Sequence, residues 1–208
     1  MPETIKDGTG TGEELRVDKN HQLHTFAVTE GLEASANRLG DEFNLNTGII
    51  AYTGSSDSSL IYFKNDESPV NGESGYFISG IVVGMGIRST SVTDYGVLTI
   101  IRNPDAGDII SDATDVSFNS NSNFGSNRVL SSTTLVYKGK NGGTISGGTT
   151  HGIAFIGEGR NAIPLNMSIP KGSSIGLKID INTSGGCNVY AALIGYRIDG
   201  NNRKDKRA

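Results

Sequence analysis

From Ile49 onward, apolar residues recur at every second position in short runs, separated by Gly, Asn, Asp, Ser and Pro. A period of two sends alternate side chains to opposite faces of an extended chain, so each run predicts a β-strand. The predicted strands cover 48–52, 59–64, 76–87, 96–102, 128–137, 152–156, 162–169, 174–181 and 188–198. No window of this region carries apolar residues at the helical period over three turns. Short strands joined by turns close into a sandwich or barrel. The spacing is uneven, with long polar insertions at 103–127 and 138–150. That favours a jelly roll over an immunoglobulin-like domain, which repeats its turns more regularly. The expected fold class is all-β, a jelly-roll-like β-sandwich of about 8–10 strands with an extended N-terminal arm.

Two strands carry more detail. In 76–87, Ile81, Val83, Met85 and Ile87 share one face, while Gly80, Gly84 and Gly86 lie mostly on the other. A face of glycines predicts that a backbone, a bulge or a ring packs closely there. In the last strand, Val189, Ala191, Leu193 and Gly195 alternate with Tyr190, Ala192, Ile194 and Tyr196. Both sides are apolar, so it should lie centrally.

The first 54 residues differ from the rest: they hold few large apolar side chains and many charges and amides. The run 22–29 nevertheless alternates, with His24, Phe26 and Val28 on one side and Thr25, Ala27 and Thr29 on the other. A strand-like segment without a core of its own must find its apolar partner on the following domain or on another subunit. Leu15, Val17, Leu23, Phe26 and Val28 are therefore the expected contact residues of an arm. Residues 29–41 hold good helix formers between Gly31 and Gly40 and predict a short helix or link. The expected division is an arm and linker over 1–48, a sandwich over 49–200 and a flexible basic tail over 201–208.

Composition narrows the function classes. The 208 residues include 29 glycines and no tryptophan, a balance suited to tight turns and short strands. There is no run of 18 or more apolar residues to span a membrane, and the first residues lack the apolar core of a secretory signal. Cys187 is the single cysteine, so an intrachain disulfide and a cysteine zinc site are excluded. A net charge of −4 gives no general affinity for nucleic acid. Arg203, Lys204, Lys206 and Arg207 crowd one end, as a contact for an acidic partner or as a solvated terminus.

Candidate chemistry is sparse. His21 and His24 stand three apart, and on a strand that spacing points them to opposite faces. Asp105, Asp108, Asp112 and Asp115 offer oxygen ligands of the kind calcium prefers, without the alternate spacing of an EF-hand loop. The glycines of 80–86 lack the third glycine and the helix of a dinucleotide turn, and those of 138–148 lack the Gly-Lys-Ser/Thr of a phosphate loop. No G-x-S-x-G elbow accompanies His151. Cys187 reads as a small buried side chain. No enzyme, cofactor or metal is expected.

The order of several short motifs resembles the opening of a widespread set of small tailed-bacteriophage virion proteins. Asp7-Gly8-Thr9-Gly10 comes first, then Val17-Asp18-Lys19-Asn20 running to Leu23, and Ala27-Val28-Thr29-Glu30. Phe43-Asn44-Leu45-Asn46-Thr47-Gly48 follows. Near the other end, Ile169-Pro170-Lys171-Gly172-Ser173-Ser174-Ile175 leads towards Gly195-Tyr196-Arg197-Ile198. The resemblance implies a head decoration (cement) protein or another virion component, often a trimer of jelly rolls seated on the capsid shell. The implied partners are the major capsid protein and further copies of the chain, in a virion assembled in the host cytoplasm. Specific nucleic acid, membrane and small-molecule ligands are not expected. The alternative is a carbohydrate- or receptor-binding module, or a neck or tail-fibre component. Tyr76, Tyr95, Phe118 and Phe124 among asparagines would supply its aromatics.

Overall fold

The computed structural model describes residues 4–6, 14–16, 34, 36–37, 40–53, 57–66, 75–87, 95–111, 114–115, 130, 133–183 and 185–198. Its strands are β1 (Thr4–Lys6), β2 (Glu14–Arg16), β3 (Glu42–Asn46), β4 (Ile50–Tyr52), β5 (Asp57–Lys64), β6 (Gly75–Ile87) and β7 (Tyr95–Arg102). They continue with β8 (Thr114–Asp115), β9 (Leu135–Lys138), β10 (Thr149–Ile156), β11 (Gly159–Ile169), β12 (Ser174–Asn182) and β13 (Cys187–Ile198). A helical turn, α1 (Asp108–Ser111), interrupts them.

The pairing is nested. β3 pairs β13, β5 pairs β12, β6 pairs β11 and β7 pairs β10, all antiparallel. The chain thus runs out along β3 to β7 and returns along β10 to β13, as one long hairpin. Rolling that hairpin inserts β12 between β5 and β7, and β13 between β6 and β3. Two sheets result, in the orders β10-β7-β12-β5-β9-β8 and β11-β6-β13-β3, with β4 also on β13. This is the connectivity of a jelly roll.

Alternation fills the space between the sheets. Leu98, Ile100, Leu177, Ile179 and Ile181 from the first sheet meet Ile81, Val83, Met85, Val189 and Leu193 from the second, all buried. Phe63 of β5 meets Tyr76 of β6 edge to face at 5.2 Å, tying the sheets together. Each such side chain contributes about 1.5–3 kcal/mol by leaving water.

The observed strands extend or trim the predicted ones at their ends. Thr149 and Thr150 join β10 by pairing Arg102 and Ile101, because the ladder uses backbone groups whatever the side chain. Of the described residues within 128–137, those from Leu135 onward are strand, continuing to Lys138, and Leu130 is buried in the core. β3 falls inside the segment read as arm and linker, yet its Phe43 and Leu45 are core residues and it borders β13. β13 is central, as its two apolar sides predict. The glycine face of β6 receives a ring: a Cβ on Gly84 would collide with Tyr190. In 29–41, Ala34, Ala36 and Asn37 are helical, and other residues of that stretch lie outside the described ones.

Candidate interaction surface

The outer face of the first sheet is covered at one end and bare at the other. Covering begins with a register shift between β12 and β5 that leaves Leu60 as an extra residue. Residues 139–146 cross over this bulge as a strap. Gly139 N–H donates to Leu60 O at 2.8 Å, Ser59 N–H to Gly143 O at 2.7 Å, and Gly142 N–H to Ser58 Oγ at 3.0 Å. Glycine is required at 139, where a Cβ would strike the Ser59 carbonyl. Ile145 of the strap and Ile109 of α1 bury themselves against Tyr62 and Ile101.

Asp108 locks the strap to α1. Its carboxylate pairs Lys140 Nζ at 3.0 Å and accepts the Thr144 N–H at 2.5 Å. The Lys140 hydrogen bond holds the Asp108 carboxyl below its ordinary value; slight burial works the other way, and the Thr144 hydrogen bonds add to the lowering. Asp108 therefore serves a structural contact. The wider acidic set is incomplete here, since Asp112 lies outside the described residues. Among the described residues, no group of three or more His, Cys, Asp or Glu could hold a metal.

The bare end centres on β10. Ile153 and Phe155 are 64% and 77% exposed, and Phe155 packs edge to face on the half-exposed Tyr95 at 5.9 Å. Register sets Phe155 beside Val97 and Ile153 beside Thr99. On the far side of β7, β12 places Lys178, Asp180 and Asn182 opposite Thr99, Val97 and Tyr95. An apolar strip thus lies next to a polar one, at the end of a sheet where β10 has a neighbour on one side only among the described residues.

The outer face of the second sheet carries a different feature. An apolar cleft of about 380 Å³ is lined by Ile49, Gly84, Gly86, Gly159, Arg160, Asn188 and Tyr190, among others. Tyr190 can occupy the space above Gly84 only because that residue lacks a side chain. Ile49, 70% exposed, stands in the lining. Further along the same sheet Phe77 and Tyr196 stack at 5.1 Å.

Of the expected arm contacts, Leu15 lies in β2 opposite Ile5. Val17, Leu23, Phe26 and Val28 lie outside the described residues, as do His21, His24 and the basic residues 203–207. Cys187 is buried. Beside it the Tyr52 hydroxyl donates to Ser59 O at 2.9 Å, and burial, with a smaller effect of Cys187, pushes its pKa far up. His151 is exposed where β10 shifts register against β7. No described helix is long and apolar enough to cross a membrane.

Ile153, Phe155 and Ile49 were not among the residues expected at a contact. In Gly152-Ile153-Ala154-Phe155-Ile156 the larger side chains at 153 and 155 would by parity be taken as core. The structure turns them outward because Leu98 and Ile100 of β7, with Ile156, already fill the inside. The available signal was the small size of Gly152 and Ala154, which suits a crowded interior. No family model matches the chain, and neither a curated protein nor a solved structure matches it.

Proposed function

We propose that this chain is a non-enzymatic structural protein of a phage virion. It acts as a capsid decoration or cement protein that binds the head shell through its N-terminal arm and an oligomeric jelly roll, as a homotrimer. The observation that carries the reading is the apolar outer edge at Ile153 and Phe155, on a body whose N-terminal sequence follows the virion-protein motifs in order. Large apolar side chains exposed together mark a surface that meets another protein. The partners in this reading are the major capsid protein and copies of the chain itself. An arm suits cementing because it reaches past its own domain and can add a strand to an open sheet edge. Several arms on one oligomer then bind at high effective concentration.

The test is cosedimentation with empty phage shells of the full chain and of a form lacking residues 1–30. Saturable binding that requires the arm supports the reading; equal binding by both forms removes the arm from it. A second reading draws on Tyr95 and Phe155, an exposed aromatic pair beside Asp180 and Asn182. That combination suits a receptor glycan, and binding to glycans or to isolated tails with none to shells would favour it.

A further inference from the structure

The β10 knob and the Tyr190 cleft have complementary chemistry. Among the described residues, Phe155 is the most exposed of the large apolar side chains. The cleft is apolar, with a volume that accommodates a phenyl ring. A ring of this size buries about 150–250 Å² when enclosed. Charges flank both features with opposite sign. Glu158 follows the knob strand by two residues, and Arg160 lines the cleft. Both side chains are exposed, and neither forms an ion pair among the described residues.

We propose that Phe155 of one copy seats in the cleft between Ile49 and Tyr190 of a second copy of this chain, with Glu158 of the first beside Arg160 of the second. Within one chain the two halves cannot meet. Gly157 and Glu158 alone join β10 to β11, so knob and cleft sit at one end of the sandwich but on different sheets. Every copy then offers one knob and one cleft, and the contact is head to tail. Such contacts close into a ring when the two surfaces are inclined and run on as a filament when they are not. Here knob and cleft lie on the outer faces of different sheets, joined by the short β10–β11 turn, and the angle at which copies dock decides between the two. Gly84 becomes a specificity residue, because any side chain there would displace the Tyr190 ring from its place in the cleft. The inference rests on the self-association in the proposed function and names the surfaces through which copies meet, whatever the position of the assembly in a virion.

The experiment is sedimentation equilibrium of the chain and five variants, with circular dichroism to establish that each variant is folded. The wild type should sediment as an assembly of more than one chain, and F155S should weaken self-association by about tenfold or more, the loss expected of a seated aromatic anchor. E158R and R160E should each weaken it, and the double variant E158R/R160E should restore it by recreating the pair in reverse. A monomeric wild type up to its solubility limit would overturn the proposal. So would assembly unchanged in F155S, or a charge-reversed double variant no better than its parents. Assembly that survives F155S but disappears on deleting residues 1–30 would assign self-association to the arm instead.

Discussion

The ring of Tyr190 occupies the space that a side chain on Gly84 would need, so two neighbouring strands of one sheet share a single volume. The glycine is there for the ring. This explains the glycine at 84 on the outer side of β6, while the inner side of the strand is filled by Ile81, Val83 and Met85.

A G84A substitution should therefore cost about 1–3 kcal/mol, the usual range for overpacking. In a Y190A background the same change should cost much less, because the clash partner is gone. A double-mutant cycle by chemical denaturation measures the coupling. Additive costs would mean that the ring moves aside freely.

Phe63 and Phe155 offer a contrast within one residue type. Phe63 is fully buried against Tyr76, so F63A should lose about 3–5 kcal/mol. Phe155 is exposed, and F155S should change monomer stability by no more than about 0.5 kcal/mol. Thermal denaturation of dilute samples separates the two, and comparable losses would show that Phe155 is enclosed within the single chain.

Acid should loosen the strap. The folded Asp108 carboxyl lies below its ordinary value of 3.8. Its contribution is thus fully present above that value and is lost as pH falls through the lower, folded one. The pair with Lys140 is largely solvated, so the effect should be under about 1 kcal/mol. D108N should flatten the fall in stability that wild type shows as pH drops below the ordinary carboxyl value. Parallel curves would count against the assignment.

Gly139 provides a sharper probe of the same element. A Cβ there meets backbone, the Ser59 carbonyl, which cannot swing away as a side chain can. G139A should free the strap, expose Ile145 and raise amide exchange at Gly139, Gly143 and Ser59. Exchange unchanged from wild type would show that the strap shifts as a unit and re-docks.

The body of the fold was legible because its strands obey a period of two, as in β7, where Leu98 and Ile100 are buried and Val97 and Thr99 half-exposed. The centrality of β13 and the crowding over Gly84 followed from the same alternation. What alternation does not encode is which parity faces inward. Ile153 and Phe155 show the limit, because their orientation depends on which residues of β7 already occupy the core. The bulge at Leu60 was equally hidden, since an extra residue in a strand is visible only against its partner's register. The cleft unites Ile49, Gly84, Arg160 and Tyr190 from distant parts of the chain. No local pattern announces a surface of that kind.

The nesting of the strands has a consequence for how the molecule comes into being. β12 and β13 are interior strands of their sheets, yet they are synthesised after the β3, β5, β6 and β7 strands that they pair with. Until they emerge, β5 and β7 have no strand between them, and neither do β6 and β3. A nascent chain therefore holds its earlier strands with unsatisfied edges, open to pairing with neighbouring chains. Closing these late, distant pairings is slow compared with local ones. For such a chain the hazardous interval is the time on and just after the ribosome, and crowding of many nascent copies on one message would be its chief enemy.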